Sequence, residues 1–184
     1  RLVEYGCLVE DGEPYALRCD AVAGAGIDML WSIDSDTARF LARTFRNPPM
    51  LCHLTPLMRY FCRKTMLGNS GKVYAHFHQS ASQRMVDIIA FGSDGRVALA
   101  TTHACTSDDD ALYYILASVK EAGLDAASDE ILLCGNASAR DALMPMLRRY
   151  AAYVMPVIFP SAAFRAGREA LNAPFPLVIL PLCE

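Results

Sequence analysis

His76 and His78 stand two residues apart in Lys72–His78, a stretch that alternates as a strand does. Side chains at i and i+2 of a strand share a face, so the two imidazoles could hold one metal ion. The neighbouring sequence supplies no third ligand, and packed or surface histidines are commoner than metal pairs, so no metal site is expected. Cys52 and His53 are adjacent within Met50–Leu54, which reads as a short strand. Adjacent strand side chains face opposite sides, which would rule out a thiol–imidazole pair. His103 and Cys105 can meet on one strand face, but nothing nearby orients the ring. Asp108, Asp109 and Asp110 open a helical pattern behind Thr106-Ser107. Carboxylates there meet unpaired backbone N–H groups and the positive end of the helix dipole, and capping explains them better than a divalent ion. Ser35-Asp36 reads as a cap in the same way. Ala23-Gly24-Ala25-Gly26 lacks the third glycine and following helix of a dinucleotide fingerprint, and reads as a turn. No hydrolase elbow, Walker loop or zinc spacing occurs, and no catalytic residue is assigned.

The elements that must position these residues follow from periodicity. Leu2–Glu10 and Pro14–Val22 alternate on either side of Asp11-Gly12 and predict a hairpin. Ile27–Ile33 is a further strand, and Ser35 is placed to cap a helix through Arg46, stopped by Asn47-Pro48-Pro49. Thr55-Pro56 suits an N-cap followed by proline at the first helical position, opening a helix to about Met66. From Lys72 the pattern predicts strands at Lys72–His78, Arg84–Phe91 and Arg96–Cys105, then a helix at Ser107–Ala122. A strand at Glu130–Cys134, a helix at Ala137–Tyr150 and a strand at Tyr153–Phe159 follow. Ser161–Leu171 reads as a last helix and Pro176–Leu182 as a final strand.

At 184 residues the chain is one domain or two small lobes, able to hide roughly 70% of its unfolded surface. Apolar residues make up 53% and charged residues 20%, a balance suited to buried sheets rather than disorder. No apolar run is long enough for a membrane helix. Seven cysteines without a CxxC pair, mostly in apolar strands and helices, point to free thiols in a reducing, cytoplasmic setting. The chain starts at Arg1 without methionine, so an upstream segment is expected. Net charge is −3, which argues against nucleic acid as a partner. Between Thr37 and Val86 there is no acid, while Arg39, Arg43, Arg46, Arg59, Arg63, Lys64, Lys72 and Arg84 are basic. Either these charges intermingle with the acid-rich first 36 residues, or they form a face for an anionic polymer.

The element order after Lys72, βββαβαβαβ, resembles the ribonuclease-H-like lobe of the actin, sugar-kinase and heat-shock ATPase superfamily. Leu67-Gly68-Asn69-Ser70, Asp94-Gly95-Arg96, Asp110 through Tyr113-Tyr114-Ile115-Leu116, and Asp129-Glu130-Ile131-Leu132-Leu133-Cys134-Gly135 go further. They resemble domain-of-unknown-function family 3822, found mainly in Bacteroidetes, whose members look like divergent actin-like ATPases. The resemblance implies an α/β actin-like fold. Residues 1–71 would be the remainder of a first lobe, and 72–184 a second.

Active members of that superfamily bind ATP between lobes through Asp-x-Gly turns, where glycine admits backbone N–H groups to the phosphates and the carboxylate holds magnesium. At the matching turn this chain has His76-Phe77-His78-Gln79-Ser80-Ala81-Ser82-Gln83, with neither aspartate nor glycine. The adenosine turn carries one glycine, in Leu133-Cys134-Gly135-Asn136. The resemblance therefore implies a catalytically inactive scaffold that needs no cofactor and binds an unidentified protein partner. The alternative is a nucleotide-binding protein or weak ATPase. Gly135 and Asn136, with His78, Gln79 and Ser80, would then be the contacts.

Overall fold

The computed structural model describes residues 14–22, 24–65, 68–80, 82–158, 160–161 and 173–183. Strands β1 (Tyr15–Val22) and β2 (Ile27–Asp34) pair antiparallel, Val22 opposite Ile27. Gly24 and Gly26 turn the chain between them with φ of 91° and 66°, the region glycine enters without steric cost. The hairpin observed is thus β1–β2. The predicted partner strand Leu2–Glu10 lies outside the described residues. Helix α1 (Ser35–Thr44) is capped by Asp34, one residue earlier than expected, whose carboxylate accepts from the Thr37 N–H and hydroxyl.

Residues 50–52 form no strand, and helix α2 (Leu54–Thr65) begins before the predicted cap. Thr55 lies inside the helix because its hydroxyl is committed elsewhere: it donates to Asp20 Oδ2 over 2.8 Å. The same oxygen accepts the Cys52 N–H at 2.7 Å. One buried carboxylate on β1 thereby ties down the turn that starts α2.

The main sheet is built from β3 (Lys72–Ser80), β4 (Gln83–Phe91), β5 (Val97–Cys105), β6 (Glu130–Gly135) and β7 (Tyr153–Pro156) in the order β5-β4-β3-β6-β7. The first three are antiparallel neighbours, while β3–β6 and β6–β7 are parallel. Helices α3 (Asp108–Glu121) and α4 (Ala137–Leu147) supply the crossovers. Ser107 caps α3, in a capping box with Asp110, and Asn136 caps α4.

Both sheet faces are covered. Val73, Ala75, Phe77, Ile88 and Leu133 pack against Ile115, Leu143 and Leu147 of α3 and α4. Tyr74, Ile89 and Phe91 pack on the other side against Leu57 and Phe61 of α2 and against Phe175 and Ile179. The alternation in Lys72–His78 therefore sorts side chains between two buried layers rather than between core and water, as a central sheet strand requires. α2, although it precedes residue 71, lies on the sheet of the later segment. The helical pattern at Ser161–Leu171 falls almost wholly outside the described residues.

The predicted strand Pro176–Leu182 is instead helix α5 (Phe175–Ile179) and a 3-10 turn, Leu180–Leu182. Prolines at 174, 176 and 181 cannot donate to a ladder but suit a helical first turn. Phe175 and Ile179, one turn apart, are the pair that α5 buries against α2. Among the described residues no helix is long and apolar enough to cross a membrane.

Gly135 ends β6 with φ of 87°, and a Cβ there would sit 2.1 Å from the Phe77 carbonyl oxygen. That oxygen accepts the Asn136 N–H at 2.8 Å, so neither backbone can yield. Gly135→Ala should destabilise the chain by more than about 2 kcal/mol. Gly26→Ala, at positive φ but with nothing within 4 Å, should cost only about 1 kcal/mol. Chemical denaturation of the two variants measures the difference, and equal losses would refute the close-approach account.

Candidate functional site

One transverse row of the main sheet carries the polar groups. Thr102 on β5 faces Asp87 on β4, Asp87 faces His76 on β3, and His76 faces Cys134 on β6. Side chains directly opposite share a face, so Thr102, Asp87 and His76 converge beneath α2 and α5. His78, two residues along β3, joins them on that side. Asp87 is 0% exposed. Thr102 Oγ1 donates to its Oδ1 over 2.8 Å, and His76 Nδ1 lies 3.0 Å from Oδ2. His53, in the turn before α2, brings Nε2 to 3.1 Å from Oδ1. His78 Nε2 comes equally close to Oδ2, at 3.1 Å, in a buried position and outside hydrogen-bond geometry.

The charge state follows from these contacts. Burial acts to raise the Asp87 pKa, but hydrogen bonds from His53 and His76 and the nearness of His78 outweigh it and hold the carboxyl well below the usual range. The His53 imidazole is pushed up to about 10, first by its bond to Asp87 and then by the Cys52 side chain, with burial opposing. Cys134, wholly enclosed next to the row, has its thiol pushed up by burial and by the Asp87 charge. The three rings pack together: His76 and His78 stack at 5.2 Å, and His53 and His78 lie 5.8 Å apart. Phe175 of α5 closes over His76 at 6.3 Å.

The row borders a cleft of about 780 Å³ lined by His53, His78, Gln79, Ser80, Gly135 and Asn136 among others. All five residues named from the family resemblance as nucleotide contacts line this cleft. Two are already committed to the fold: Gly135 by its contact with Phe77, and Asn136 through Oδ1, which accepts the Ala139 N–H at 3.0 Å. The strand end that would meet phosphate is a tight hairpin, since Ser80 pairs with Gln83.

The other sequence candidates fare differently. His103 stacks on Tyr114 at 4.1 Å, and its Nε2 meets the Thr101 hydroxyl at 3.1 Å. The Cys105 thiol points to the His103 carbonyl oxygen, so no thiol–imidazole pair forms there. Cys52 and His53, expected to oppose each other in a strand, lie instead in the turn before α2, where the Cys52 side chain helps to raise the His53 pKa. Asp108 pairs with Arg84, and Asp110 receives the Thr106 N–H and hydroxyl. The neighbouring sequence offers no third ligand beside His76 and His78. The fold supplies Asp87 and His53, so that His78 shares a possible ligand set with His53 rather than with His76. A signal for Asp87 did exist: it is the lone charge in the apolar run Met85–Phe91, where an acid needs partners.

The shifted His53 makes stability depend on pH. A folded pKa near 10 against 6.5 for the free ring adds stability that is complete below the lower value and lost as pH rises through the upper one. In chelator-treated protein, the denaturation midpoint should fall between about pH 7 and pH 10, and His53→Gln should flatten that fall. An unchanged slope in the variant would assign the dependence to other groups.

No curated protein matches the chain significantly. A crystallised Bacteroides thetaiotaomicron VPI-5482 protein with an actin-like ATPase fold and unknown function is similar, at 25% identity and a TM-score of 0.70. The match covers 92% of this chain and 60% of that one, so the chain spans less than two thirds of that structure's length. The order of the main sheet and its two helix-covered faces agree with that fold. The family model described as "Protein of unknown function (DUF3822)" matches residues 3–154, and the chain belongs to that family.

Proposed function

We propose that this chain is an actin-like module that does not hydrolyse ATP and acts by engaging a protein partner. The observation behind this reading is the β3–β4 connection, where a tight hairpin without aspartate or glycine replaces the expected phosphate turn. A carboxylate is nearby, but Asp87 is fully buried among three imidazoles and a threonine, a nitrogen-rich setting that magnesium avoids. Residues 1–71 are read as the remainder of a first lobe and 72–184 as a second, with α2 bridging them. A bacterial, cytoplasmic setting fits the six described cysteines, all of them free.

A second reading, nucleotide binding without turnover, draws on the cleft that gathers His78, Gln79, Ser80, Gly135 and Asn136. An anionic polymer has less support. Lys72 pairs with Glu130, Arg84 with Asp108 and Arg39 with Asp36, while Arg59 and Arg63 bond backbone carbonyls.

Calorimetry with magnesium–ATP, run beside a phosphate-release assay, separates the first two readings. The scaffold reading expects no binding heat at millimolar nucleotide and no release above the blank. Micromolar binding without turnover would favour the second reading, and turnover would overturn both.

A further inference from the structure

We propose that His53, His78 and Asp87 form a binding site for a transition-metal dication of the zinc type. This stands apart from the scaffold reading and does not depend on it. The Nε2 atoms of His53 and His78 and a carboxylate oxygen of Asp87 all lie within 4.8 Å of one another. His53 Nε2 is 3.1 Å from Asp87 Oδ1 and His78 Nε2 is 3.1 Å from Oδ2. Ligand atoms around a tetrahedral zinc ion with bonds near 2 Å are separated by roughly 3.3 Å, so small side-chain adjustments would seat the ion.

His78 points its Nε2 at the same carboxylate, 3.1 Å from Oδ2, but outside hydrogen-bond geometry, so that nitrogen is aimed into the cluster and is not locked to one oxygen by a linear hydrogen bond. The surroundings also match what metal ligands require. Thr102 donates to Oδ1 and His76 meets Oδ2, which fixes the carboxylate from behind, the part that outer partners play in metal sites. A third support reaches His53: Asp20 accepts from the Cys52 N–H and the Thr55 hydroxyl, gripping the turn on both sides of the ring.

The donor chemistry selects the class of ion. Two imidazole nitrogens and one carboxylate suit zinc, iron(II) or a similar ion, whereas magnesium and calcium prefer an all-oxygen set. Three protein ligands leave a coordination position free, as in sites that take water or a substrate. His53 and His78 both line the 780 Å³ cleft, so that position faces a volume large enough for an oxygen-donor ligand. The ion would also join the turn before α2 to β3 and β4.

The test uses the full chain, stripped with chelator and titrated with zinc against a chromophoric chelator, with cobalt(II) as a spectroscopic probe. We expect one zinc per chain with a dissociation constant of about 1 µM or tighter, and visible cobalt bands. His53→Gln and His78→Gln should each weaken zinc by at least about 100-fold, more than loss of an outer partner does, and remove the cobalt bands. His103→Gln, at the one histidine outside the cluster, should change neither. Zinc should raise the Tm of the parent chain but not of His53→Gln, and magnesium should raise neither. The His53 side chain is 52% exposed, so His53→Gln is expected to fold even where a change at His78 prevents folding. No zinc uptake at about 100 µM, or uptake indifferent to His53→Gln, would overturn the proposal.

Discussion

A carboxylate in the interior of a covered sheet must be surrounded by donors, and the Asp87 side chain is where this fold meets that demand. Its partners come from β3, β5 and the turn before α2. Removing one partner of such a buried charge typically costs about 3–5 kcal/mol, because the remaining charge has no water to turn to. The arrangement is therefore a constraint on register as much as a source of binding energy. A slip of one residue between β3 and β4 would send Asp87 into the apolar layer beneath α3 and α4.

That constraint couples the two halves of the chain. His53 reaches Asp87 across a separation of 34 residues, and its turn is held in turn by Asp20 on β1. The polar chain Asp20–turn–His53–Asp87 runs from the small hairpin to the centre of the main sheet. It lies beside the apolar contact in which Phe61 of α2 stacks on Tyr74 of β3 at 3.9 Å. Apolar packing supplies the area, and the hydrogen-bonded groups set where α2 begins.

Two residues that line the cleft beside Asp87, Gly135 and Asn136, have structural duties. Gly135 is needed because the Phe77 backbone passes too close for a side chain. Asn136 caps α4 and donates its N–H to the same Phe77 carbonyl. A glycine or asparagine at a position of functional interest can thus be demanded by the backbone alone.

Much of the secondary structure was legible because it is dictated locally. The alternation of the strands, the cap at Ser107, the glycine turn at Gly24 and Gly26, and the strand–helix order from β3 to β7 each rest on residues within a few positions of one another. Misreadings came where long-range contacts decide. Met50–Leu54 looked extended, but Asp20 captures the Cys52 N–H and the Thr55 hydroxyl and holds the segment in the turn from which α2 starts. Pro176–Leu182 looked like a buried strand, but α2 offers a surface on which a helical turn buries Phe175 and Ile179 together. The candidate site was half visible: strand periodicity alone put His76 and His78 on one face. Asp87, Thr102 and His53 join them only through sheet register and the docking of α2, which depend on contacts spread across the whole chain and not on any neighbouring residues.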